Sequence, residues 1–168
     1  MRLGRLLKHR WFDARDVRRV LGRDGERRLE ERIRASELQH SGEIRVCVEA
    51  GLPLEDLWRD TTPRERALAV FGELGVWDTE ANNGVLIYLL LAEHAIEIVA
   101  DRGVERCVES GHWQRVLASM QEAFRAGRFE DGLAGAIDAV HAVLVAHFPL
   151  APGARDANEL PNDLVILN

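Results

Sequence analysis

The chain has 168 residues, of which 46% are hydrophobic and 30% are charged, and its formal net charge is −6. This length suits one ordinary domain whose core is large enough to fold alone. No apolar run approaches the ~18 residues that a membrane-spanning helix needs, so the pattern predicts no transmembrane segment.

The charge is distributed unevenly along the chain. Residues 1–34 hold twelve Lys and Arg against six Asp and Glu, whereas the remainder holds ten against twenty-two. A nucleic-acid-binding protein would need a positive face with interleaved aromatic side chains, so we expect no nucleic-acid partner. We predict that residues 1–22 form a basic N-terminal arm. The arm either packs on its own body or meets an unknown protein partner or a membrane surface.

The first half of the chain predicts a helix, a strand and a second helix. The first core helix is predicted from about Asp24 to His40 by its apolar spacing. The segment "GEIRVCVEA" alternates apolar and polar residues and predicts a strand with one well-buried face, followed by a loop at "GLPLED". For the second helix, Thr62 suits the N-cap, Pro63 suits the first helical position and Gly75 suits the end.

The second half predicts a hairpin and two closing helices. The continuous apolar run from Val85 to Leu91 predicts a central strand buried on both faces, and "IEIVA" predicts its hairpin partner. The preceding strand–helix–strand unit implies a parallel, right-handed crossover, so the sheet should be mixed. Two helical patterns follow, broken at Gly127 and ended by Pro149. The prediction is one α/β domain at residues 23–149, with a tail at 150–168 whose Leu164, Val165 and Ile166 return to the body.

Cys47 and Cys107 each stand alone, which predicts buried structural thiols and a reducing compartment. The N-terminus has cations around its leucines and no apolar segment of the kind found in signal peptides. Both features predict a cytoplasmic protein. The six histidines show no paired metal-ligand spacing, so we expect them in surface or capping roles.

The loop before the central strand holds the densest cluster of oxygen-bearing side chains. Hard cations such as calcium and magnesium bind carboxylate, amide and backbone oxygens. The spacing fails as an EF-hand loop, so ligands must also come from elsewhere, and Asp101 is the best donor unless antiparallel pairing places it at the opposite end of the sheet. The alternative is that these side chains only cap turns. The predicted calcium or magnesium ligands are Asp78, Glu80, Asn82, Asn83 and Asp101.

From about Glu26 to Phe148, the chain resembles the TPM domain, a family named partly for thylakoid-lumen and photosystem-associated proteins of plants and widespread in bacteria. The resemblance rests on the order of three short segments: Asn83-Gly84-Val85-Leu86, Asp101-x-Gly103 and Gly127-Arg128-Phe129-x-x-Gly132. It implies an α/β/α sandwich around a small mixed sheet, with helices on both faces. The chain looks like the short cytoplasmic bacterial type of this family.

What the resemblance implies about function leaves two hypotheses. Some members bind divalent cations, calcium in particular, which favours a binding or interaction module of uncharacterised role. Plant members have been linked to acid phosphatase activity and photosystem repair, so the alternative is a metal-dependent phosphomonoester hydrolase using the same loops. Arg102 is the candidate phosphate clamp for that reaction. Its alternative role is that of a solvated turn residue. The sequence contains no cysteine-x5-arginine loop, DxDxT segment or P-loop.

Overall fold

The computed structural model describes residues 3–151, 153–154 and 158–168. The first two residues of the predicted arm, and positions 152 and 155–157 of the predicted tail, lie outside this part. The described residues form seven α-helices and four strands: α1 (Leu3–Arg10), α2 (Ala14–Glu37), β1 (Glu43–Glu49), α3 (Leu54–Trp58), α4 (Pro63–Glu73), β2 (Gly84–Leu90), β3 (Ala95–Ala100), α5 (Arg102–Glu105), α6 (His112–Arg125), α7 (Phe129–His147) and β4 (Val165–Leu167).

The four strands form one mixed sheet in the order β3-β2-β1-β4. Strand β1 runs parallel to both β2 and β4, and β2 runs antiparallel to β3. Helices α2, α6 and α7 pack on one face of this sheet, while α3 and α4 pack on the other. The predicted α/β fold with helices on both faces is therefore confirmed.

Strand β2 lies at the centre and is buried along its whole length, as predicted. Its residues Val85, Ile87 and Leu89 join the core beneath α2 and α7. Its alternate residues Leu86, Tyr88 and Leu90 join the core beneath α4. The continuous apolar run has this cause, because each face of the strand needs its own apolar surface.

The prediction of a single buried face for β1 is wrong. Arg45, Cys47 and Glu49 alternate with the apolar residues of the strand, yet all three are buried. Helix α4 covers Cys47 and Glu49, and the guanidinium of Arg45 donates to the main-chain carbonyls of Pro161 and Asp163 in the tail. The polar residues of this strand therefore make buried polar contacts and do not face solvent.

Two helix predictions need correction in the first half. Helix α2 begins at Ala14, where Asp13 forms a capping box with Asp16, and it is kinked at Gly22, whose φ of 68° and ψ of 160° are not helical. The predicted start near Asp24 therefore corresponds to the segment after the kink. The "GLPLED" segment, predicted as a loop, contains the beginning of α3. By contrast, Thr62 caps α4 and Pro63 opens it, as predicted.

Both terminal segments of the described residues pack on the body. The inner side of α1 reaches the carboxyl ends of β1 and β2, where Nε of Arg5 and Nε2 of His9 each lie 2.8 Å from Oε1 of Glu93. The tail returns as β4 beside β1, as predicted for Leu164 to Ile166. None of the helices in the described part of the chain combines the length and apolarity needed to cross a bilayer.

Candidate functional site at the sheet rim

The loop before β2 and the residue after β3 meet at one end of the sheet. Antiparallel pairing of β2 with β3 brings the start of one strand beside the end of the other. Accordingly, the backbone N–H of Asp101 donates to the carbonyl of Gly84 at 2.9 Å, and that of Gly103 donates to Asn82 at 2.9 Å. The alternative in which Asp101 lies at the opposite end of the sheet from Asn83 is excluded.

Asn83 is buried, and its donors are satisfied by nearby oxygens. Its backbone N–H donates to Oγ1 of Thr79 at 3.0 Å, and its side-chain Nδ2 donates to the carbonyl of Ser41 at 2.9 Å. Its side-chain Oδ1 is buried without a hydrogen-bond partner among the described residues. One acceptor of the Asn83 amide is therefore buried and unpaired among the described residues.

Asp101 is buried at the same rim and caps α5. Its Oδ1 accepts the backbone N–H of Arg102 at 2.6 Å, whereas its Oδ2 is buried with no partner in the described part of the chain. Buried polar atoms in folded proteins are nearly always paired with protein, water or an ion. Asn83 and Asp101 belong to the same rim but have different neighbours. The amide of Asn83 donates to the carbonyl of Ser41, whereas the carboxylate of Asp101 caps α5.

The remaining predicted ligands, Asp78, Glu80 and Asn82, lie exposed on the loop. Asn82 adopts a left-handed φ of 52°, and no side-chain oxygen of these three is bonded to another described residue. Within the described residues, no group of three or more His, Cys, Asp or Glu is arranged to hold a metal ion. The structure therefore brings the main chains of Asn83 and Asp101 to one rim and leaves the other three residues on its solvent side. The ion site stays a prediction.

A cavity of about 250 Å³ next to this rim gathers residues that were not predicted as a site. It is lined by Glu37, His40 and Glu43, and the backbone N–H of Glu43 donates to the carbonyl of Asn83. Burial, together with the neighbouring carboxylate of Glu43, raises the pKa of Glu37 to about 7. Burial and the nearby His141 ring lower the pKa of His40 to about 4.

The expectation of surface or capping roles for all histidines is wrong for His9 and His40, which are buried. Oγ of Ser36 lies 2.7 Å from Nε2 of His40 and 2.8 Å from Nδ1 of His141, so it bridges the two rings. Helix α2 ends at Glu37, three residues before the predicted end at His40, and His40 lies beyond it in a bridge with Pro149. The contact of Ser36 with His40 therefore does not follow from helical spacing. The involvement of His141 depends on how α2 and α7 pack.

A family model described as the TPM domain matches residues 14–143. The NMR structure of the BA42 protein from the psychrophilic bacterium Bizionia argentinensis is 30% identical, with a TM-score of 0.72, and the match covers 85% of this chain and 92% of that one. The NMR structure of the N-terminal domain of a protein from P. gingivalis is 26% identical, with a TM-score of 0.58, covering 79% and 83% respectively. No curated protein matches the chain significantly.

Proposed function

The chain belongs to the TPM domain family, and from this premise we propose that it is a binding module that holds calcium or magnesium at the sheet rim and carries out no turnover. The side-chain ligands are Asn83 and Asp101 from inside the rim, with Asp78, Glu80 and Asn82 from the loop. Water completes the shell, as hard cations permit.

The observation that carries this proposal is that Oδ1 of Asn83 and Oδ2 of Asp101 are each buried without a partner among the described residues, in segments that meet where β2 begins and β3 ends. A cation would satisfy acceptors that have no donor among the described residues. The loop is also held closely. A Cβ at Gly103 would lie 2.5 Å from the carbonyl oxygen of Asn82 and 2.7 Å from that of Ala81, so glycine permits this approach.

The proposal is tested by melting the protein with EDTA, calcium or magnesium. An ion that binds only the folded state stabilises it by about 2.7 kcal/mol at one hundred times its Kd, so the wild-type Tm should rise. The Asp78→Ala, Asp101→Ala double variant should lose this rise. Removing the Asp101 cap also lowers the baseline Tm, so the quantity to compare is the ion-dependent increment.

The matched control is Asp131→Asn, which removes an exposed carboxylate from α7, far along the chain from the rim. It should keep the full increment. A wild type whose Tm is the same with EDTA and with either ion would reduce the rim to a capped turn.

Metal-dependent phosphomonoester hydrolysis is the second candidate, and one observation favours it. Arg102 is exposed directly beside Asp101 and forms no ion pair within the described residues, so its guanidinium is free to meet a phosphate. The two candidates separate in an assay with p-nitrophenyl phosphate and magnesium. The binding module predicts no hydrolysis above buffer, whereas activity abolished by EDTA, Asp101→Asn and Arg102→Met would establish the hydrolase instead.

We also propose that the protein works in the cytoplasm, supported by its two free cysteines, of which Cys47 is buried. Immunodetection after cell fractionation tests this location. We further propose that the N-terminal arm contacts a partner, because α1 uses only its inner side to pack on the body and leaves its outer side exposed.

A further inference from the structure

Two tryptophans and two leucines project into solvent from α1, its following residue and α3. Their exposed fractions are 82% for Trp11, 65% for Trp58, 55% for Leu7 and 49% for Leu54. Leu7 and Trp11 are separated by four residues, as are Leu54 and Trp58, so each pair has the spacing of one helix face. Large apolar side chains grouped on a surface commonly mark an interaction site.

The two pairs lie on neighbouring helices, because α1 and α3 run antiparallel beside each other. At one end, Arg5 donates to Oδ1 of Asp60 at 2.8 Å and to the carbonyl of Thr61 at 2.6 Å, just after α3. At the other end, the backbone N–H of Leu52 donates to Nδ1 of His9 at 2.9 Å, just before α3. The contacts therefore place Leu7 toward the Trp58 end and Trp11 toward the Leu54 end. We call these four residues the tryptophan patch.

The surroundings of the patch are basic. Lys8 and Arg10 are exposed between Leu7 and Trp11 and form no ion pair with any described residue. Three further exposed cations follow in the first turns of α2: Arg15, Arg18 and Arg19. Arg19 pairs with Asp16 at 2.7 Å, and Asp13 is an exposed carboxylate in the same segment, so Arg15 and Arg18 supply the additional positive charge. On the α3 side, Arg5 already neutralises Asp60, which leaves Glu55 as the exposed carboxylate without an ion pair.

We infer that the tryptophan patch docks the protein on an anionic lipid surface, an inference that rests on the proposed partner role of the arm. Tryptophan side chains favour the headgroup region, since their rings are apolar and their N–H is polar, and Lys and Arg are attracted to anionic headgroups. A second copy of the chain fits the patch less well, because a two-fold contact would bring Lys8 and Arg10 against their own copies.

This docking orients the molecule. Helix α1 packs near the carboxyl ends of β1 and β2, whereas Asn83 and Asp101 lie at the opposite end of β2. A lipid-bound protein would therefore hold its rim away from the bilayer and open to water. The docking does not depend on an ion at the rim, so the two proposals fail separately.

The test uses the full chain in EDTA, with vesicles of phosphatidylcholine alone or mixed with phosphatidylglycerol. We expect co-sedimentation and a blue-shifted tryptophan emission only with the phosphatidylglycerol vesicles, and weaker binding as salt increases. The Trp11→Ser, Trp58→Ser variant should partition at least about tenfold less, since each substitution removes a large apolar surface that the lipid-bound protein would bury in the bilayer. The control Trp77→Ser removes another exposed tryptophan outside the patch and should bind like the wild type.

A second variant, Lys8→Gln, Arg10→Gln, changes only exposed cations, and far-UV circular dichroism checks that each variant is folded. The Lys8→Gln, Arg10→Gln variant should lose binding to anionic vesicles while keeping its fold. Three vesicle results would each overturn the docking: no vesicle binding, equal binding to neutral vesicles, or full binding by the folded tryptophan variant. A dimer of the wild type in light scattering that the tryptophan variant fails to form would also overturn it, because the patch would then contact a second copy of the chain. The ion-dependent Tm, measured without lipid, reports separately on the rim.

Discussion

Arg66 and Glu49 form a bidentate ion pair inside the protein, on the α4 face of the sheet. Nε of Arg66 lies 3.0 Å from Oε2 of Glu49, and Nη2 lies 2.8 Å from Oε1. The hydroxyl of Tyr88 donates to the same carboxylate, and Nη1 of Arg66 reaches Glu73 at 3.0 Å. Burial and the adjacent carboxylate raise the pKa of Tyr88 far above its usual value. The buried charge of Glu49 is thus stabilised by Arg66 and by the Tyr88 hydroxyl, although Arg66 also pairs with Glu73.

We expect Arg66→Met to lower the free energy of unfolding by about 3–5 kcal/mol, because it leaves an uncompensated buried carboxylate. The double variant Arg66→Met, Glu49→Gln should recover part of this loss, since no buried charge remains. Urea denaturation measures both. Arg115→Met removes an exposed pair with Glu109 and serves as the control, with almost no expected change. A double variant less stable than Arg66→Met would contradict this account.

From the raised pKa of Glu37 we predict that the protein loses stability as the pH increases toward neutrality. Its pKa rises from 4.5 to about 7 in the folded protein, mainly through burial. A raised folded-state pKa contributes stability that is fully present below the unfolded value and is lost as pH increases through about 7. In Glu37→Gln this loss should be absent, so its stability relative to wild type should increase by about 2–3 kcal/mol between pH 4.5 and 7. Parallel pH profiles of the two proteins would rule out the effect.

From the lowered pKa of His40 we predict the opposite dependence of stability on pH. Its pKa falls from 6.5 to about 4, again mainly through burial. A depressed folded-state pKa in a base contributes stability that is present above 6.5 and is lost as pH falls toward 4. Thermal melts of His40→Gln, whose amide can still bond Ser36, should therefore show a smaller acid-induced drop in Tm than wild type. In wild type, the opposing contributions of Glu37 and His40 partly cancel between pH 4.5 and 6.5.

Gly84 is predicted to be irreplaceable. A Cβ at this first residue of β2 would overlap the backbone carbonyl of Val76, which cannot move as a flexible side chain does. Gly84→Ala should destabilise the fold by at least about 3 kcal/mol, in the range of severe overpacking. Gly72→Ala is the control, because a Cβ there meets nothing within 4 Å and α4 should gain about 0.5–1 kcal/mol from alanine. Equal denaturant midpoints for the two variants would refute the steric explanation.

Much of the rim could be anticipated from sequence, but its assembly could not. The loop residues Asp78 to Asn83 stand out by composition, and Asp101 stands out as the donor after the hairpin. Their relation depends on hairpin register, which places Asp101 beside Gly84. No sequence spacing distinguishes the cavity acids Glu37 and Glu43. Their carboxylates accept hydrogen bonds from the main-chain N–H groups of Ile44, Glu159 and Leu160, and main-chain donors leave no mark in the sequence.

The sequence by itself determined the elements whose causes are local. The Thr62 cap with Pro63, the end of α4 just before the left-handed Gly75 and the two-sided burial of β2 follow from neighbouring residues and apolar periodicity. Only the tertiary structure decided which polar groups are buried together. Glu49 with Arg66, His40 with His141, and Asn83 near Asp101 depend on how separate elements pack. Sequence neighbours do not specify these pairings, because burial and hydrogen bonding are set across the whole core.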